Sequence, residues 1–248
     1  MSEPSKKSAI TPTWLFGGGL LLAIACSGCQ MASSSSNVAG VRAVQSGQPM
    51  VAVNHFQQAL ANDPTNADAL YNMAATYHEM AKVNNDPAMM KQAEELYNRC
   101  LDQNGDHAEC YRGLAVLLID MKQPDSAYTL MEGWAQRSPN SADPKVELAR
   151  LYQEFGDDQT ALAQLNQAVA IDANNARAWA ALGNMREKSG DYSQALANYQ
   201  RSLALNNFQD GVSTRVATLV RQGVQADTPL SPTGDTRIVQ NPNTTQRY

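Results

Sequence analysis

A pattern of small and large residues that returns every 34 positions restricts this chain more than any other feature. Each copy sets a small residue, a large one four places on, a small one three further, and a proline or turn-former after five more. Ala52, Phe56, Ala59 and Pro64 make one copy, and Ala127, Met131, Trp134 and Pro139 another, with Trp134 in a place for a small residue. Ala161, Leu165, Ala168 and Ala173 follow 34 residues later, and Ala195, Tyr199, Ser202 and Asn207 after 34 more. Steps of three and four keep these residues on one face of an α-helix. A fixed period of this length signals stacked supersecondary units rather than one closed core.

The front halves of the units repeat as well. Trp179, Leu182 and Gly183 precede Gly190, Asp191 and Tyr192, and weaker versions occur at Leu70, Met73, Ala74 and Tyr77 and at Leu148, Ala149 and Tyr152. One unit is out of step. Its Ala93, Tyr97, Cys100 and Gly105 come seven residues late, which predicts an insertion in the turn around Val83 to Met90. Small residues such as Ala74, Gly183, Ala161 and Ala195 let paired helices approach, and the large ones fill the gap to the neighbouring unit. Pro64 and Pro139 stop a helix and set the turn into the next unit.

These residues resemble the tetratricopeptide repeat, a helix-turn-helix unit, over roughly Ser33 to Gln209. The resemblance implies an all-α, right-handed superhelical solenoid of about five repeats. Asp210 to Gln225 reads as a C-terminal cap helix, with Val212, Val216, Leu219 and Val220 inward and Arg215 and Arg221 outside. The repeat domain with its cap is expected over 37–225.

Ahead of the repeats, Lys6 and Lys7 precede an uncharged stretch that lasts until Arg42, with an apolar run from Trp14 to Ala25. The run falls short of the roughly 20 residues that cross a bilayer, so 1–25 reads as a secretory signal peptide. Leu22 to Cys26 resembles the lipobox of bacterial lipoproteins, which implies that Cys26 carries the lipid; Cys29 is the weaker alternative. The Cys26–Cys29 pair lacks the βαβ context of a redox dithiol, the following His of a haem attachment, and nearby partners for zinc. Ser33 to Ser36 reads as a flexible tether, so 26–36 is expected to be a lipidated linker. The segment 226–248, with Pro229, Pro232 and Pro242 among polar residues, reads as disordered. The expected location is the cell envelope, on an outer membrane facing the periplasm.

The 248 residues carry a net charge of −5 and no run of Lys or Arg, which argues against nucleic acid as a partner. His55, His78 and His107 stand apart, and no catalytic, phosphate-binding or dinucleotide-binding motif is present. The expectation is therefore a scaffold that is not an enzyme and needs no cofactor, metal or small-molecule substrate. In the resembling family the first helix of each unit lines a concave groove. By register that groove presents Tyr71, Asn72, His78, Arg112, Arg150, Arg177 and Asn184, suited to an extended peptide or helix. The chaperone-tail clamp of Lys and Asn is not reproduced, because Tyr71 and Ala75 occupy those places. If Arg112, Arg150 and Arg177 hold a partner's acidic or carbonyl groups, reversing them to Glu is expected to abolish capture with little change in stability; the alternative is a simply solvated face. By fold-level analogy the partner belongs to envelope assembly, as in pilotin-like pilus or secretion-system biogenesis; the alternative is a regulator recruiting a cell-wall enzyme.

Cys100 and Cys110 lie equidistant from Gly105, which sits in a turn between antiparallel helices. Two outcomes are open from this placement: a disulfide, or two buried thiols that pack as small apolar residues.

Overall fold

The computed structural model describes residues 19–227, with side chains from residue 31 onward. The signal peptide, the lipidation at Cys26 or Cys29 and the tail after residue 227 fall wholly or in their side chains outside the described residues. Among the described residues the structure is helical without strands, and no helix is long and apolar enough to cross a membrane. The chain forms two compact units that divide after Cys110.

The first unit holds α1 (Gly19–Gln45), α2 (Pro49–Asn62), α3 (Ala67–Asn84) and α4 (Pro87–Gln103), and ends in the first turn of α5 (Ala108–Asp120). Helices α1 and α2 pack as a tight pair, as do α3 and α4, and α2 also packs on α3. The second unit holds the rest of α5 and then α6 (Pro124–Arg137), α7 (Asp143–Glu154), α8 (Asp158–Ile171), α9 (Ala176–Lys188), α10 (Tyr192–Leu205) and α11 (Asp210–Arg221). Here α7 pairs with α8 and α9 with α10, with further packing of α6 on α7, α8 on α9 and α10 on α11.

Each pair closes on one recurring contact. A Cβ added at Gly40 would lie 2.3 Å from Phe56 Cε1, and one at Gly183 would lie 2.5 Å from Tyr199 Cδ1. The two pairs share a spacing of sixteen residues, and the buried pairs Ala115/Met131 and Ala149/Leu165 have it too. The aromatic ring of one helix thus lies where its partner has almost no side chain.

In the out-of-step unit the matching residues are Ala74 and Tyr97, both buried and seven residues further apart. Its insertion is not a loop. α3 runs to Asn84 and α4 begins at Pro87, leaving Asn85 and Asp86 as the turn. At 3.6 residues per turn, seven residues add about one turn to each of two antiparallel helices, so the packing faces stay in phase.

The turns inside the pairs share one device. Gly47, Asn85, Lys122, Gly156 and Gly190 have φ between 56° and 82°. Lys122 is a long L-residue with φ of 64° where two other turns at the same period use glycine. Proline then opens α2, α4 and α6, while Asp157 and Asp191 cap α8 and α10 by accepting from Thr160 N–H and Gln194 N–H. Pro at the first helical position removes an N–H that lacks a partner there.

Two expectations are corrected. Ser33 to Ser36 are not a tether but a turn of α1, and Ser33 is fully buried. Its hydroxyl accepts a hydrogen bond from Asn66 Nδ2 at 2.9 Å, which ties α1 to the start of α3. The cap helix is present as α11, with Leu219 buried beside Ala195, Leu196 and Tyr199, but Val220 is 53% exposed. It follows Leu219 by about 100° around the helix and turns off the packed face.

Because the Gly183 contact leaves no room for a methyl group, Gly183→Ala should destabilise the second unit by roughly 1–3 kcal/mol, the usual cost of overpacking. At an exposed helical site the same change would gain up to about 1 kcal/mol. Chemical denaturation of the variant reads the sign directly.

Candidate functional site

In the second unit, α5, α7, α9 and α11 send four arginines toward one cavity of about 590 Å3. Arg112, Arg150, Arg177 and Arg215 line it together with Asn184 and the apolar Val146 and Ala181. Glu147, which is 1% exposed, holds three of them in place. Arg112 donates to Oε1 from Nε and Nη2, both at 2.9 Å. Arg177 donates to Oε1 from Nη2, and Arg150 donates to Oε2 from Nε at 3.2 Å. Arg177 also reaches Asp143 at 3.3 Å, while Arg150 Nη2 is buried without a hydrogen-bond partner.

A buried carboxylate with no partner would be prohibitively costly, so the arginines are a condition of its burial. Burial pushes the Glu147 carboxyl up, but the Arg112 hydrogen bond and the charges of Arg112, Arg177 and Arg150 outweigh it and hold the carboxyl below its ordinary value. Asp143 and Glu154, the latter 3.7 Å from Arg150, balance the other two charges, and the outer edges of the arginines stay 35–45% exposed. Such a surface is suited to a carboxylate, phosphate or carbonyl group of a ligand.

The cap helix closes one side. Arg215 is exposed, as its register suggests, and donates from Nε and Nη2 to Glu187 at 3.0 and 2.6 Å, pinning α11 to α9. Tyr199 O–H donates to the same carboxylate at 2.9 Å. Burial, and then this carboxylate, push the Tyr199 phenol well above its usual range.

In the first unit a second cavity, of about 540 Å3 and mainly apolar, is lined by Val41, Phe56, Tyr71, Asn72, Ala75 and Met80 among others. Asn72 Nδ2 donates to Asn37 Oδ1 at 3.0 Å, joining α3 to α1. The Tyr71 ring packs near Tyr97 and His107, at centroid distances of 6.2 and 5.7 Å.

The structure therefore brings Arg112, Arg150, Arg177 and Asn184 to one cavity and places Tyr71 and Asn72 at another. His78 belongs to neither: it is 4% exposed. It follows Ala74 by four residues and precedes Ala81 by three, so it shares their buried face rather than the groove face. The arginines are also not simply solvated, because each is bonded to Glu147. Sequence reading missed Glu147 and the Glu187–Arg215 pair. The available signal was Glu147 three residues before Arg150 on the same helix.

Cys100 and Cys110 are joined in the structure as a disulfide, with Cα atoms 6.5 Å apart, tying α4 to the first turn of α5. In the chain-entropy account a bridge over so short a loop stabilises by roughly 2–3 kcal/mol. His107, expected to stand apart, lies beside both sulfurs.

Models of the tetratricopeptide repeat match residues 55–93, 118–185 and 176–208. This chain is a tetratricopeptide-repeat protein. A thermophilic TPR protein of Thermus thermophilus superposes with a TM-score of 0.57 at 19% identity, covering 77% of this chain and all of that one. Pseudomonas aeruginosa PilF superposes with a TM-score of 0.51 at 18% identity, covering 79% of this chain and 91% of that one. At these identities the likeness is one of fold. The human protein O-mannosyl-transferase TMTC1 is 26% identical over 161 residues, 62% of this chain but 17% of its own length. The chain thus spans under a fifth of that relative. Tetratricopeptide-repeat proteins are generally protein-binding scaffolds and generally non-enzymatic.

Glu147→Gln should destabilise the second unit by roughly 2–3 kcal/mol, below the usual cost of breaking a buried pair because the arginines are partly exposed. A folded-state value below 4.5 for Glu147 means that its stabilisation is present above that pH and is lost as pH falls through the folded value. Thermal melting of both proteins from pH 7 to pH 3 should show the wild type losing this advantage over the variant in acid.

Proposed function

We propose that this protein is an exported, lipid-anchored scaffold whose arginine-lined groove holds an acidic peptide or helix of an envelope-assembly partner, as in pilus or secretion-system biogenesis. The observation that carries this reading is the convergence of Arg112, Arg150 and Arg177 on buried Glu147 around an open cavity with Asn184 at its side. Guanidinium donors already fixed on helices recognise carboxylates without first ordering long side chains, which keeps the entropic cost of binding low. The fold likeness to PilF is compatible with this reading but does not extend to function.

The anchor rests on sequence: Cys26 follows Leu22, Ala23, Ile24 and Ala25 at the end of an apolar run that begins after Lys6 and Lys7. One thioether-linked lipid with further acylation would hold the repeats at a membrane surface facing the periplasm.

Arg150→Gln with Arg177→Gln leaves Arg112 to neutralise Glu147. The double variant should stay folded by circular dichroism and lose at least tenfold in affinity for the partner captured from native envelopes. Unchanged capture would remove the arginines from the interface, and a wall hydrolase or synthase as the captured protein would favour a regulatory role instead.

For the anchor, Cys26→Ser should abolish incorporation of labelled palmitate, and Cys29→Ser should leave it nearly intact. Label entering the Cys26→Ser protein would move the anchor to Cys29.

A further inference from the structure

We propose that Cys100, His107 and Cys110 form a zinc site in the reduced protein, so that one junction is stapled either by a disulfide or by a Zn2+ ion. Their ligand atoms all lie within 4.8 Å of one another in the first unit, and all three residues are at most 9% exposed. Cys100 sits near the end of α4, Cys110 in the first turn of α5 and His107 in the connection between them. Opening the disulfide needs only a modest separation of the sulfurs to reach the Zn–S distance of about 2.3 Å each.

The imidazole is held at both ring nitrogens in the oxidised protein. Its Nε2–H donates to Asp68 Oδ1 at 3.2 Å, and its Nδ1 accepts Cys110 N–H at 3.3 Å. The Tyr71 ring, at 5.7 Å, holds it from one face. A carboxylate on one ring nitrogen fixes the tautomer and directs the other lone pair to the metal, the arrangement that commonly supports ligating histidines. That Nδ1 lone pair accepts Cys110 N–H in the oxidised protein, and Zn2+ would take the place of this hydrogen bond. Glu109 Oε2 is 3.5 Å from Nδ1 but stands outside the three-residue group, so the fourth position is left to water. Two thiolates and an imidazole match Zn2+, whereas a thiolate-only set would favour Cu+.

The chemistry balances with an external dithiol as reductant. Its two thiols pass two electrons and two protons to the Cys100–Cys110 bridge and leave as their own disulfide. Zn2+ then takes both sulfurs as thiolates, and the two thiol protons go to solvent. The metal form would hold α4 against the first turn of α5 before the cysteines are oxidised.

The test uses the full chain carrying Cys26→Ser and Cys29→Ser, reduced with a dithiol that is then removed without oxygen, and titrated with Zn2+ against a chromophoric chelator. One Zn2+ per reduced chain and none per oxidised chain is the expected result. Asp68 is exposed, so Asp68→Asn should not disturb folding, and it should weaken Zn2+ by roughly 10- to 100-fold. His107→Gln should weaken it further. No uptake by a chain whose two thiols are shown free by alkylation would overturn the proposal. So would equal uptake by the oxidised protein, wild-type affinity in Asp68→Asn, or binding of Cu+ without Zn2+.

Discussion

The helix pairs close only because one helix offers almost nothing where its partner offers a ring. Phe56 lies over Gly40 and Tyr199 over Gly183, each at a separation of sixteen residues, and alanines take the glycine's part against Met131, Leu165 and Tyr97. This contact sets the distance between paired helices, and that distance decides which residues face outward along the groove. It also explains how seven extra residues are tolerated between Ala74 and Tyr97. A turn added to each of two antiparallel helices leaves both faces in phase, whereas one or two extra residues would rotate the ring away from its partner.

A hairpin of this kind buries one face and leaves another, so its stability depends on the next element in the stack. In the second unit the last exposed face, carrying Ala195, Leu196 and Tyr199, is covered by Leu219 of α11. Electrostatics reinforces that closure, since Arg215 and the Tyr199 hydroxyl share Glu187. The same helix that ends the hydrophobic stack therefore also forms a wall of the arginine-lined cavity.

Glu147 joins packing to chemistry. As a buried carboxylate it requires cationic partners, and once those partners are gathered they form a fixed set of guanidinium donors that a solvated arginine stripe would not hold in place. The cluster fixes guanidinium groups from α5, α7 and α9 at a cost in desolvation, and such a cost is often repaid as specificity rather than stability. Rigid donors lose less entropy when a ligand arrives.

The 34-residue period, the helical spacing and the cap helix were legible in the residues, as was the register that carries Arg112, Arg150, Arg177 and Asn184 to one cavity. Each follows from a local rule: three-and-four spacing, proline as a stop, small residues where helices touch. The midpoint argument about Gly105 brought Cys100 and Cys110 together but left both a bridge and two thiols open. Other features depended on side chains far apart in sequence. His78 looked like a groove residue because one residue of phase is invisible without its neighbours, and Ser33 looked like a tether because a serine run has no helical signature. Glu147 could not be distinguished from any other helical acid until arginines 35 residues before it and 30 after it met at its oxygens. The chain alone thus determined the repeat and its faces, because periodicity is a local property. Only the folded stack decided which charges meet, because burial and pairing depend on helices that the sequence separates.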